Sequence, residues 1–281
     1  MSIEAMLLVI TFCVIIFPVA RQRYVEVLRR RAIFAIEKQR HTRVISLIHR
    51  EESINLFGIP VVKFLNMNDL EEIMRGIHLT DPETPIDFIL HTPGGLYLAA
   101  TQIARALKDH AGKVTIFVPH YAMSGGTLIA LAANEIIMSP HAVLGPIDPQ
   151  IDDLPAASIL KVIQRKPIAE IDDDTIILAD LAEKAISQLG DIVGELLADK
   201  LDASAIEMVS ESLTSGAWTH DFAITYRQAK KLGLPVTTNI PNEILDLIAL
   251  YPQPIIGTPS VEYLPNTTRR GNAAKTDPSR K

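Results

Sequence analysis

Two short stretches have the composition of a reaction centre. In MSGG, residues 123–126, a serine stands beside two glycines just before an apolar helical run, TLIALAAN. In TPGG, residues 92–95, two more glycines separate the strand-like run IDFILH from the helical run LYLAATQIARALKDH. A serine hydroxyl ahead of a helix is either an N-cap or a nucleophile. Glycines beside it let a substrate carbonyl come close to backbone N–H groups, and a tetrahedral oxyanion needs such fixed donors in a site that excludes water. Either turn alone is an ordinary helix start. Their repetition at matching ends of successive units favours chemistry.

The elements around them have the alternation needed to bring both turns to one edge. VVKFL (61–65), IDFILH (86–91), KVTIFV (113–118) and EIIMS (135–139) are strand-like runs. Between them lie NDLEEIMRGIHL, with Asn68 or Asp69 as its expected cap, and the two helical runs that follow the glycine turns. Strand–helix–strand repetition implies an α/β fold of β-α-β units, right-handed crossovers and a mostly parallel sheet. Ligands of such sheets bind at the carboxyl ends of the strands, where both turns fall. An acidic turn, EIDDD, precedes one long helical stretch, 175–212.

The ends of the chain differ from this body. Residues 5–20, AMLLVITFCVIIFPVA, carry no charge and are followed at once by Arg21, Arg23, Arg29, Arg30 and Arg31. As a helix this run spans about 24 Å, somewhat less than a hydrocarbon core of about 30 Å. With Glu4 as the one preceding charged side chain and Pro18 in the −3 place of a cut after Ala20, it is a poor signal peptide. The arginine asymmetry predicts a transmembrane anchor at 1–20 with the remainder in the cytoplasm. Residues 21–52 read as a basic juxtamembrane helix, 53–264 as the α/β domain, and 265–281 as a disordered tail. A formal net charge of −6 argues against a nucleic-acid partner. The single cysteine, Cys13, excludes an internal disulfide. No H-E-x-x-H and no G-x-x-x-x-G-K-[ST] occurs, so no catalytic metal or cofactor is expected, and no ATP-driven step by this chain alone.

HTPGG, AMSGG with its apolar helix, EIIMSPHAVLGPIDPQ, SGAWTHD and PSVEYLP, in that order, resemble the Clp protease/crotonase-like fold and, more narrowly, the serine dehydrogenase proteinase family. That family is made of membrane-anchored serine proteinases related to signal peptide peptidase A and the Clp proteolytic subunit. The resemblance implies a serine endopeptidase acting on protein or peptide substrates, with Ser124 as nucleophile, the Gly95 and Gly125 N–H groups as oxyanion hole, and a homo-oligomer in which PIIGTPSVEYLP docks on a neighbour. A fold-sharing membrane scaffold without activity is the alternative. The base stays open. No histidine falls where the Clp subunit has its own, since His141 comes too early in HAVLGPIDPQ. Lys166, in KVIQRKPIAEIDDDTI, matches the lysine of signal peptide peptidases and comes first, with Lys161 and Lys184 as rivals. His220, in SGAWTHD, matches a reordered Ser–Asp–His triad with Asp148 or Asp172 as its acid. His91, His120 and His141 are expected to line the cleft without reacting.

Overall fold

The computed structural model describes residues 16–56 and 59–251, together with Phe12. Five parallel strands form the central sheet in the order β1, β4, β5, β7, β12: Arg43–Ile48, Ile86–His91, Val114–Val118, Glu135–Met138 and Val236–Thr237. Every residue of β4 and β5 is buried, which explains why both read as mostly apolar runs, broken only by Asp87, His91 and Thr115. Their side chains alternate between two cores. Phe88, Leu90, Ile116, Val118, Ile136 and Met138 face one, and Ile89, Phe117 and Ile137 face the other.

The larger core is covered by α2 (Met67–His78), α3 (Tyr97–Lys108), α4 (Gly125–Leu131), α6 (Asp173–Leu197) and α7 (Ala203–Thr214). The smaller is covered by α1 (Phe17–Arg40) and α9 (Asn242–Ala249). Residues Tyr121–Ala122 (β6), Val143–Leu144 (β8) and Ile224–Thr225 (β11) make a second small sheet at the carboxyl end of the first. The bridge between Thr92 and Ala122 joins the two sheets. Two hairpins complete the described strands: β2 (Glu51–Leu56) with β3 (Ile59–Val62), and β9 (Gln150–Ile151) with β10 (Leu154–Pro155). Helix α5 (Ala156–Arg165) and α8 (Tyr226–Lys231) lie between these elements and their successors.

Four expectations are corrected. The basic helix does not run through 21–52: it ends at Arg40, where His41 adopts φ 54°, and RVISLI becomes the first strand of the sheet. Arg40 and Thr42 then hydrogen-bond the carboxylate of Asp87, a buried group on β4, which pins the turn to the sheet. The stretch 175–212 is two helices, because Asp202 caps the second by accepting from the Ala205 N–H. The cap of α2 is Asn66 rather than Asn68 or Asp69; its side chain accepts from the Asn68 and Asp69 amides while Asp69 returns a bond to the Asn66 amide. The strand read over 61–65 stops at Val62, and Leu65 instead bridges to Gly95.

Most of the uncharged run 5–20, the PIIGTPSVEYLP arm and the tail from 265 lie outside the described residues. Among the described residues no helix is long and apolar enough to cross a membrane. Phe12, Ile16, Phe17 and Val19, from the end of that run, are exposed.

Candidate functional site

Ser124 is not a cap. It occupies the N-cap position of α4, yet its hydroxyl makes no hydrogen bond to that helix. Its backbone has φ 49° and ψ −118°, a conformation that a residue with a Cβ rarely adopts. The Gly126 N–H donates to Met123 O at 2.7 Å, closing a tight turn of the II′ kind with Ser124 at its first central position, where glycine is the usual occupant. Strain of this type is on the order of 1–3 kcal/mol, and it is tolerated where the surroundings fix the turn. Here Met123 N donates to Thr92 O at 3.0 Å, and the Thr127 hydroxyl, fully buried, donates to Ala122 O at 2.8 Å.

The TPGG turn lies directly against this one. Gly94 has φ 101° and Gly95 φ 144°. A Cβ on Gly94 would stand 2.9 Å from the Ser124 Cβ, and one on Gly95 would stand 2.4 Å from Leu65 N. Only glycine allows both the angles and the approach. A Cβ built on Gly125 would come within 3.7 Å of Gly95 N, so the two turns meet. Leu65 holds TPGG from the other side, accepting from Leu96 N at 2.8 Å and donating to Gly94 O at 2.7 Å. Neither the Gly95 nor the Gly125 N–H donates to a partner among the described residues, which leaves two clustered amides beside the serine.

Ser124, Gly95, Gly125, His220 and Asp148 all line one cavity of about 620 Å³. His220 Nδ1 lies 2.8 Å from Asp148 Oδ1. The Asp148 side chain is buried and its second oxygen accepts from Gln150 Nε2 at 2.5 Å, whereas the His220 side chain is 40% exposed. The carboxylate bond raises the His220 pKa above its ordinary value, against a smaller lowering by burial. With Nδ1–H given to Asp148, Nε2 is the nitrogen that can take a proton. The loop carrying Asp148 is fastened by Gly145 N to the Thr127 hydroxyl at 3.0 Å and by Ile147 N to Leu213 O at 2.8 Å. Ser124 and His220 do not hydrogen-bond each other here; such contacts often tighten only around a substrate.

The other candidates lie elsewhere. Lys166 is the exposed residue that follows the end of α5, and it does not line the cavity. Lys161 is exposed, and Lys184 pairs with Asp180 at 2.5 Å. Asp172 caps α6 through the Thr175 amide, which, with the Thr175 hydroxyl, holds its carboxyl below the usual range. Neither His120 nor His141 borders the cavity. His91 is buried beneath the TPGG turn, and burial beside Arg50 pulls its pKa down to about 3, so it is a neutral packing group. Sequence reasoning gave no role to Thr92 or Gln150, each of which bonds a group of the site; they lie in TPGG and GPIDPQ, but nothing in the spacing separates them from their neighbours there.

Residues 1–277 match the family described as ClpP-like SDH-type serine proteinase. Two uncharacterized proteins of Methanocaldococcus jannaschii are 50% and 49% identical over 264 residues, which is 94% of this chain and 90% and 92% of theirs. Among solved structures, ClpP1 from Listeria monocytogenes is 17% identical, with a TM-score of 0.45 over 73% of this chain and 97% of that one.

Proposed function

The chain belongs to the family of ClpP-like SDH-type serine proteinases, and from that premise we propose that it hydrolyses peptide bonds with Ser124 as nucleophile, His220 as general base and Asp148 as the carboxylate that orients the imidazole. The observation that carries this reading is the opening of the serine, the imidazole–carboxylate pair and two unengaged glycine amides on a single cavity. Ser124 Oγ attacks the substrate carbonyl as its proton passes to His220 Nε2. The oxyanion sits between the Gly95 and Gly125 N–H groups. The imidazolium gives the proton to the leaving amine, and water then hydrolyses the acyl-enzyme by the same route. Leu96, Tyr97, Ile147, Ile151 and Leu189 supply apolar wall, which suits apolar substrate side chains.

The test is covalent capture. A fluorophosphonate probe is expected to label the tryptic peptide containing Ser124, with a rate that rises with pH. The base must be neutral to act, and the Asp148 bond raises its pKa, so the acid limb is expected with a midpoint above about 6.5. Failure to label Ser124 at any pH would leave the inactive-scaffold alternative.

We also propose that the uncharged run 5–20, with the arginines after it, anchors the chain in a membrane with the α/β domain on the cytoplasmic side, and that the chain forms a homo-oligomer. Alkaline carbonate extraction is expected to leave the full chain in the membrane pellet and to release a chain that starts at Arg21. Recovery of the full chain in the soluble fraction removes the anchor. Light scattering of the detergent-purified chain at a single-chain mass removes the oligomer.

A further inference from the structure

A second imidazole–carboxylate pair stands behind the oxyanion turn. His49 follows β1, and its side chain is 1% exposed. Its Nε2 lies 3.2 Å from Asp69 Oδ2, on the first turn of α2, and its Nδ1 lies 2.8 Å from the Thr92 hydroxyl. Thr92 is fully buried, and its Oγ1 accepts the Gly94 N–H at 3.1 Å. With the proton of a neutral His49 on Nε2, three groups donate in one direction and the Asp69 carboxylate accepts the last bond. The Gly94 amide donates to Thr92, the Thr92 hydroxyl to His49 Nδ1, and His49 Nε2–H to the Asp69 carboxylate. In this tautomer the Thr92 hydroxyl donates to His49 Nδ1 at 2.8 Å in preference to Gly94 O, which lies 3.4 Å away.

Thr92 also touches the opposite turn. Its carbonyl accepts from Met123 N, and its methyl stands where a Cβ on Gly126 would come within 2.7 Å. One side chain therefore reaches the amide preceding Gly95 on one side and the serine turn on the other. The Gly95 N–H lies in the Gly94–Gly95 peptide plane, whose carbonyl accepts from Leu65 N at 2.7 Å, and the Gly94 N–H lies in the preceding plane, held by Thr92. At a glycine with φ 101° the chain itself does little to fix the angle between the two planes, so the Thr92 and Leu65 bonds together set the direction of the Gly95 N–H.

We propose that Thr92, held by the His49–Asp69 pair, is a positioning residue that aims the Gly95 N–H at the developing oxyanion. This rests on the serine proteinase reading above. Misplacing a catalytic donor by about 1 Å costs about 10- to 100-fold in rate, and losing it altogether somewhat more. The expected result for Thr92→Val, which keeps the shape and removes the hydroxyl, is a kcat lower by about 10- to 100-fold with KM within about threefold. A peptide aldehyde, whose adduct with Ser124 carries the oxyanion, is expected to bind more weakly by a similar factor. Thr92→Ser restores both to within about threefold of wild type.

Loss of kcat without loss of aldehyde affinity, a rise in KM alone, or no rescue by serine overturns the proposal. If Thr92→Val does not fold, the same contrast is read from His49→Asn against His49→Leu. In the first of these the introduced amide oxygen stands in for Nδ1 as acceptor and retains kcat, and in the second the leucine loses it; equal activity of the two overturns the proposal. Wild type and Ser124→Ala are assayed alongside. Hydrolysis that does not depend on Ser124 removes the proteinase reading and this one with it. Ser124-dependent hydrolysis that is indifferent to Thr92 removes only this one.

Discussion

Ser124→Ala is expected to lower kcat on a casein or peptide substrate by between about 10³ and 10⁶, which is about 4–8 kcal/mol of transition-state stabilisation, and to leave the folded chain unchanged. The two halves of that result have separate causes. The hydroxyl makes no hydrogen bond to the helix it precedes, so removing it strips no support from α4. The unusual φ of 49° is borne by alanine as by serine, since both carry a Cβ. Thermal midpoints of the two proteins should therefore agree within about 2 °C. Activity behaves otherwise, because no other serine, threonine or cysteine borders the cavity among the described residues. The glycine amides remain in the variant and still polarise a bound carbonyl, which keeps a residual rate above that of water alone. Wild-type activity in the variant, with labelling by fluorophosphonate retained, would mean that another group is the nucleophile.

The sheet was legible because its strands are buried on both faces. IDFILH and KVTIFV are rich in β-branched and aromatic residues, with Asp87, His91 and Thr115 as buried polar members, and they lie where the runs predict. The glycine turns were legible for a different reason: Gly94 and Gly95 satisfy backbone angles and a close approach that no other residue accepts, so composition alone marks them. Elements decided by single caps were harder. The break between α6 and α7 depends on one carboxylate, Asp202, inside an otherwise continuous helical pattern. The end of α1 depends on His41 turning left-handed and on Arg40 and Thr42 reaching Asp87, a partner far along the chain.

The same limit separates the serine from its proposed base. Ser124 and the residues that shape its turn are close in sequence, so their pattern is readable. His220 and Asp148 are 72 positions apart, and no periodicity links them. What joins them is the strand pairing of β8 with β11, in which Leu144 is opposite Ile224 and Val143 opposite Thr225. That antiparallel pair brings the GPIDPQ loop beside SGAWTHD. Lys166 had the attraction of lying near an acidic turn and a long helix, as in signal peptide peptidases, but α5 ends at Arg165 on the exposed side of the chain and leads the lysine out of the cavity.

Replacing each candidate base in turn gives the second large effect. His220→Ala is expected to lower kcat by between about 10³ and 10⁶, comparable to loss of the nucleophile, because serine and histidine act as one unit. Lys166→Ala is expected to stay within about threefold of wild type, as an exposed residue outside the cavity should. The pH profile carries the sharper sign. A general base works only when deprotonated, so activity falls as pH drops through the His220 pKa, which the Asp148 hydrogen bond lifts. Asp148→Asn removes that charge, so the acid limb of the residual activity should move down as kcat drops by about 10⁴. A lysine base predicts the contrary pattern: a limb insensitive to Asp148, and activity abolished by Lys166→Ala but kept by His220→Ala. Because Asp148 is buried and bonded by both His220 and Gln150, its asparagine variant keeps the shape and volume of the site, and the shift in the limb reads electrostatics rather than collapse of the loop. The direction of that shift therefore identifies the group that takes the proton from Ser124.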